Sequence, residues 1–568
     1  MDHATARHTL TLALLLGLLG ACAPGEAPPG NGEPPPETSF ALPAGIPAPE
    51  FGIEERLEDR YTRPDPWDRE TPGWYYVHRQ HPDASDERSY GTPAAPRATV
   101  PDPVPAGSVV VLAGTYDFAP AGYDRIVTRG TAAAPVFLVG EPGAVVTRKW
   151  VLEASYTIVE GLEFTDRGKV VLVYPSHHVA LRNNEHHHLA GKIGGRGNSD
   201  AERVHDVVIY NNKIHSQDGW DQNPDLDLDN HGIKFDAWVD RVWVLNNEGY
   251  HNGGNFIQIG DAYGGDLTRN RYFYVGGNRL YANRQSPIGV KQASDVVISE
   301  NELFDNRKVQ NNAAGQSGIV FQYGPDRLWI LFNHIHDSNA GITGGSNSSG
   351  TGEGPYIVGN LIHGLRVPPD FSYNPDTGWA PAAVMLAGGN GRYVIDNTIY
   401  DVDGGIHTPS SSPVEIHGNL VAEVRLGYHL FLETTAAVTA SRASANAFFQ
   451  TGGPALFRLG SATVHRGVAA METVWDRAAG NLEADPRFAD PAAGDYRPRA
   501  DSPLVDSGRE HDVYRRFYDL YGLDIRRDQA GAARPQGADW DRGALEHRAA
   551  SLARTYALRE LTSGGGAP

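Results

Sequence analysis

The sequence predicts an all-β solenoid, a parallel β-helix, on three observations. A pattern of alternating β-branched residues followed by Asn recurs from about residue 150, as in Val207-Val208-Ile209-Tyr210-Asn211-Asn212-Lys213-Ile214 and Val296-Val297-Ile298-Ser299-Glu300-Asn301-Glu302-Leu303. The recurring residue falls at Asn184, Asn212, Asn247, Asn278, Asn301, Asn333, Asn360, Asn397 and Asn419, in steps of 22 to 37 residues. Finally, 65 Gly and 39 Pro in 568 residues favour turns over long helices. A minimum step of 22 fits one coil of two or three short strands, and longer steps add loops thrown outward from the corners. Strands of successive coils stack about 4.8 Å apart, so the Asn side chains should form an inward ladder, each amide satisfying groups of the next coil.

The flanks read in order. Residues 1–21 carry Arg7 and an apolar run, Leu10 to Leu19, too short to span a membrane, which suits a secretory signal. Leu19-Gly20-Ala21-Cys22 resembles the bacterial lipobox. The resemblance implies lipidation of Cys22 and an anchored protein facing outside the cytoplasm, at the outer membrane or cell surface. Residues 22–50 are Pro-rich and read as a tether that at ~3 Å per residue could reach on the order of 80 Å. Residues 51–150 read as the N-terminal cap and first coils, 151–450 as the β-helix core, and 451–568 as the last coils and C-terminal cap. Such ends need covering because an open β-helix presents unpaired edges.

Composition excludes several partners. A net charge of −20, from 49 Lys plus Arg against 69 Asp plus Glu, argues against nucleic acid or an anionic lipid surface. A single Cys excludes a disulfide framework and a Cys-based zinc site. No motif calls for an organic cofactor or an oligomer, so a monomer is expected.

One face draws attention. The segments Gly232-Ile233-Lys234-Phe235-Asp236, Phe256-Ile257-Gln258-Ile259-Gly260, Gly289-Val290-Lys291-Gln292-Ala293, Gly318-Ile319-Val320-Phe321-Gln322 and Gly341-Ile342-Thr343 precede most ladder turns. Aligning Ile233, Ile257, Val290, Ile319 and Ile342 inward puts Lys234, Gln258, Lys291, Val320 and Thr343 in one outward column. Two of only seven lysines then lie two rungs, about 10 Å, apart. Insertions at 216–230, 305–317 and 365–382 would wall that face into a groove suited to a linear polymer. The first wall holds Asp218, Asp221, Asp225, Asp227 and Asp229, followed by His231 and Asp236. This cluster could bind Ca2+ through Asp225, Asp227, Asp229 and Asp236, supply a carboxylate pair such as Asp227 and Asp236, or simply satisfy turns. Three residues after the ladder positions come His187, His215, Tyr250, Tyr281, Phe304, His336, His363 and Tyr400. That spacing predicts one aromatic stack, so these histidines read as structural rather than metal-binding.

Across roughly residues 100–450 the chain resembles the right-handed parallel β-helix repeat family of secreted bacterial carbohydrate-active proteins. Residues 87–146 resemble the opening coil of such enzymes, and 485–546, with Asp485-Pro486-Arg487-Phe488 and Gly543-Ala544-Leu545-Glu546, their closing segment. Asn252-Gly253-Gly254-Asn255-Phe256-Ile257-Gln258-Ile259-Gly260 is similar to a stretch of polysaccharide lyase family six, which includes alginate lyases and chondroitinase B. In that family a base Lys precedes a ladder Asn by ten residues, as Lys291 precedes Asn301. Asn255 stands where the family has a calcium-binding Glu, and Gln322 where it has an Arg. Family nine combines an Asp-rich calcium site with a Lys base whose position lies nearer Gln258. The resemblance implies β-elimination from a uronic-acid polysaccharide, with Lys291 as base and Lys234 as second choice. Arg284 and Arg307 would neutralise substrate charge, and Gln258, Gln322, His231 and Asn255 would contact the polymer. A glycoside hydrolase on the same scaffold, or a non-catalytic glycan-binding envelope protein, are the other expectations.

Overall fold

The computed structural model describes residues 40–65, 71–117, 123–188, 192–217, 230–307, 317–345, 352–368, 381–460 and 463–548. Each central coil carries three short strands, as in Ile233–Phe235, Val239–Leu245 and Glu248–Tyr250, followed by Ile257–Ile259, Asn270–Gly276 and Arg279–Tyr281. Successive coils pair in parallel, with Ile233 opposite Ile257, Val242 opposite Phe273 and Glu248 opposite Arg279. First and second strands merge into a 29-stranded sheet, and third strands form a 14-stranded one. Alternation along each first strand drives one parity inward, so that Ile233, Ile257, Ile288, Ile319, Ile342, Val384 and Ile406 are fully buried along the axis.

The Asn ladder forms and runs further than the repeat suggested, through Asn446 to Asn481. At Asn301 the backbone N–H and Nδ2 both donate to Asn333 Oδ1, at 3.0 and 2.9 Å, while Nδ2 also donates to Val275 O of the preceding coil. In the earliest coil Leu162, rather than Gly161, occupies the ladder position, since its N–H donates to Asn184 Oδ1. The residue before the ladder position turns the corner in the left-handed region, with φ of 70° at Gly161, 53° at Asn246 and 54° at Phe332. A bulky residue there is strained. Room for the Phe332 ring comes from the next corner, Gly359, where a Cβ would lie 2.5 Å from it.

Second strands are apolar on both parities, and the chain termini explain why. Residues 42–53, which composition predicts to be tether up to residue 50, lie along the second-strand sheet. Gly52 sits against Ala180 and Val208, Trp243 Nε1 donates to Pro47 O at 2.8 Å, and Ala44 N donates to Glu300 Oε1 at 3.2 Å. Arg182, 2 % exposed, donates to Gly52 O and Ile53 O. The helix Asp512–Tyr521 covers later coils, with Phe517 edge-on to Trp329 at 4.8 Å. The C-terminal segment then reaches the third-strand sheet, where Tyr496, Ala544 and Leu545 pack with Leu361. Among the described residues, neither terminal cover lies on the first-strand face. The expected signal peptide, Cys22 and the expected tether up to residue 39 lie outside the described residues.

Two predictions follow from the core. Asn333→Ala strands the Asn301 donors and the Ile298 carbonyl, and urea denaturation should read a loss of about 1–3 kcal/mol for each group left unpaired. Asn246→Ala, whose amide bonds Asn211 on the outer surface, should cost under about 1 kcal/mol. Acid should also destabilise the fold. Burial pushes His186 down to about 3 and His417 and His429 down to about 4, and His429 accepts from Leu456 N–H while facing Phe449 O, which suits only the neutral ring. The unfolded chain therefore takes up protons first, and stability falls as pH drops through about 6.5 toward 4. Asp396, raised by burial to about 6, acts in the opposite sense over part of that range. The urea midpoint should be lower at pH 5 than at pH 7; an unchanged midpoint would contradict this balance.

Candidate functional site

Register revises the outward column. Gln258 pairs with Gly289 and Ile259 with Val290, so the column runs Lys234, Gln258, Gly289, Val320, Thr343. Lys291 is two residues further along, in the neighbouring column of Asp236, Gly260 and Gln322, still outward because a slip of two preserves parity. Gly289 is small for a reason: a Cβ there would meet Asn255 Nδ2 at 2.3 Å.

The two lysines nonetheless converge. Lys291 Nζ donates to Asp261 Oδ1 at 3.1 Å, and Lys234 Nζ to Asp261 Oδ2 at 3.4 Å. Lys234 also lies 3.4 Å from Asp236 Oδ1, and Lys192 reaches the same oxygen at 4.0 Å. Gly260 makes this possible: it takes φ 73° and lets the chain leave the strand so that Asp261 stands between the lysines. The loop is tied down by Tyr263, whose N–H donates to Gln292 Oε1 and whose hydroxyl donates to Asp236 O. Arg269 lies over the Tyr263 ring at 4.9 Å.

Charge states follow from these contacts. Burial pushes the Lys234 ammonium down, but Asp236 and Asp261 outweigh it and hold the group above its ordinary value. Lys234 is thus a fixed cation, which corrects its expected role as a second base. Burial pushes Asp261 up, while the Ala262 N–H and the two ammonium groups hold it below the usual carboxylate range. Burial, with Asp261 and Asp236 adding to it, raises Tyr263 well above the usual phenol range, so its hydroxyl stays protonated.

Other expected contacts are displaced. Arg284 is fully buried, and His231, Asn255 and Gln258 are 3–5 % exposed, so they lie beneath the first-strand surface rather than on it. His231 Nδ1 accepts from Asn255 N, and Asn255 Nδ2 donates to Gln258 Oε1 at 3.4 Å. Arg307 is exposed and paired with Asp305 at 2.6 Å. Gln322 is half-buried, one rung from Lys291. Asp225, Asp227 and Asp229 lie outside the described residues, as does most of each expected wall. Asp236 faces two ammonium groups, the reverse of a calcium cage, and so does not fit that ligand set. The sequence reading missed Asp261 and Tyr263; Gly260-Asp261-Ala262-Tyr263-Gly264-Gly265-Asp266 carries only the signal of a turn. The aromatic stack is present, with ring centroids 4.7–5.4 Å apart from His187 to His363.

The model of the right handed beta helix region matches residues 150–362. The fold is a right-handed parallel β-helix. No curated protein matches the chain. Among solved structures, this β-helix is similar to a GH136 lacto-N-biosidase from Eubacterium ramulus, at 13 % identity over 66 % of this chain and 67 % of that one, with TM-score 0.39. It is similar to pectate lyase Pel9A, at 14 % identity over 84 % and 96 %, TM-score 0.33. A third is the PL6 family polysaccharide lyase Pedsa3628 from Pseudopedobacter saltans, at 14 % over 68 % and 91 %, TM-score 0.34. These neighbours of the β-helix thus include polysaccharide lyases and a glycosidase, at low identity.

The electrostatics of the cluster can be measured. With Lys side chains carrying 13C-methyl labels, the resonance of Lys234 should titrate above that of free lysine, and Asp261→Asn should bring it down. A Lys234 resonance unmoved by Asp261→Asn would show that the carboxylate does not hold its charge.

Proposed function

We propose that this β-helix is a lipid-anchored polysaccharide lyase that cleaves an acidic, uronic-acid-containing polysaccharide by β-elimination. The observation that carries the reading is the pairing of Lys234 and Lys291 with the two oxygens of one carboxylate, Asp261, on the face that the termini leave uncovered. A substrate carboxylate that replaces Asp261 on Lys234 has its charge neutralised, which acidifies the adjacent C–H. Lys291 in its neutral form takes that proton, the C–H electron pair becomes a C=C bond, and the O-linked leaving group departs with its bonding pair and is protonated by water. Lys291 must first give up its own proton to solvent, once the substrate has displaced Asp261, because Asp261 is held below the usual carboxylate range and favours the charged lysine while it is paired. Gln322, beside Lys291, is positioned to contact the sugar. The anchor rests on Cys22, and the protein would act outside the cytoplasm as a monomer. Calcium enters only through the acidic loop of Asp225, Asp227 and Asp229, and no step above depends on it.

A second reading has one observation in its favour. Asp236 and Asp261 each lie 3.4 Å from Lys234 Nζ, which places two carboxylates on the working face, as a glycoside hydrolase needs.

A panel of uronic-acid polymers, incubated with the full chain with calcium or chelator, separates the readings. Lysis gives new ultraviolet absorbance from the conjugated C=C. Lys291→Ala should lower the rate about 10²–10⁴-fold, and Lys234→Ala should raise KM. New reducing ends without absorbance would replace the lyase with the hydrolase, and retention on a polymer with neither product would make the protein a glycan binder.

A further inference from the structure

Two clusters of imidazole and carboxylate groups lie away from the lysine site. In one, His178, His205 and Asp206, the Arg241 guanidinium holds both Asp206 oxygens, at 2.7 and 2.9 Å, and lies 3.1 Å from His205 Nδ1. A cation already fills the place an ion would take. The other is built by third strands of three successive coils, Glu302–Phe304, His334–His336 and Leu361–His363. Their register sets Glu302 beside His334 and His336 beside His363. One ligand atom from each of Glu302, His334 and His336 lies within 4.8 Å of the others, and His363 Nε2 lies 2.8 Å from His334 Nε2.

The lone pairs are arranged for a cation. His336 Nδ1 lies 2.7 Å from Asp337 Oδ2, and an ionised carboxylate only accepts, so Nδ1 carries the proton. Burial pushes the ring down, but Glu302 and Asp337 outweigh it and hold it above its ordinary value, so a bound ion would replace the proton at Nε2. That atom is buried without a hydrogen-bond partner and faces Glu302 Oε1 at 3.5 Å, beyond a well-formed N–H···O bond. Arg279 Nε holds the other Glu302 oxygen at 3.0 Å, which leaves Oε1 turned to the imidazole. A positive charge between the two groups holds them face to face, a proton in the free chain or a metal ion when one binds. On a tetrahedral ion with Zn–N near 2.0–2.1 Å, two imidazole nitrogens sit roughly 3.3 Å apart. The His334–His363 pair needs a movement of only a few tenths of an ångström to share such an ion.

We propose that Glu302, His334 and His336, with His363 brought in by its contact with His334, form a structural site for a late first-row divalent ion, with Zn2+ the reference case, that clamps three coils together beside the C-terminal cap. Three imidazoles and one carboxylate suit a borderline ion and not Ca2+, which takes six to eight oxygens. Asp337 and Arg279 orient the ligands from outside, as partners of metal ligands commonly do. Tyr496 of the C-terminal segment packs on His363 at 4.6 Å, so the ion braces the place where cap meets coils.

The test uses the full chain, stripped with chelator, dialysed and titrated with Zn2+ alone or Co2+ alone. The expected result is one ion per chain, a visible Co2+ absorption of four-coordinate intensity, and a higher Tm with Zn2+. His336→Phe keeps a ring in a stack that already holds Phe304, and should abolish the Co2+ spectrum. Asp337→Ala should weaken Zn2+ binding about 10–100-fold. His205→Phe, in the other cluster, should leave both unchanged. Absence of a stoichiometric site in the parent chain, or Zn2+ binding undiminished in His336→Phe, would overturn the proposal.

Discussion

The amide ladder is the constraint on which the rest of the molecule depends. Each ladder Asn accepts through its oxygen from the ladder Asn of the preceding coil, and its nitrogen donates to the amide oxygen of the next coil and to a carbonyl of the preceding one, so no coil is satisfied alone. Buried amides without partners are costly, and the ladder therefore fixes register more sharply than apolar packing, which tolerates sliding. It also lets corner residues occupy left-handed φ, even at Phe332. With corners fixed, loops of any length can leave after the third strand and return to the same first-strand position.

Among the described residues, the chain's own terminal segments cover two of the three faces. The N-terminal segment and the C-terminal helix lie on the second-strand sheet, and the cap reaches the third. On the remaining face, a fixed cation and a second lysine share a carboxylate. A protein of net charge −20 thus keeps a small cluster of lysines on this face without a basic surface.

Much of the fold was legible because its signals are periodic. Asn spacing and inward Ile positions report contacts that recur every coil, and the aromatic stack follows from the same count. The site was legible only in part. Aligning Lys291 on Val290 instead of Ile288 kept the parity but shifted the column, because the Gly289 position holds no side chain to mark it. Asp261 has no repeat counterpart, and Arg284 looks like a surface cation until its coil is built. The apolar second strands, Leu328-Trp329-Ile330-Leu331 for one, did carry a readable sign that both of their faces are buried.

The N-terminal segment also bears on how long the rod can be. Between Gly52, which meets the coil of Ala180, and Gly45, which meets that of Leu331, the segment crosses the rungs of Val208, Trp243, Gly276 and Glu300. Five rung spacings amount to about 24 Å, and seven extended residues span roughly 23 Å. The strap is therefore a gauge of rung number: a coil gained or lost beneath it would need about one and a half residues added to or removed from this stretch. Coils past Leu331 are tied in the same way from the other end, because the C-terminal helix bonds Asp295 through Tyr521 and Asp396 through Tyr514.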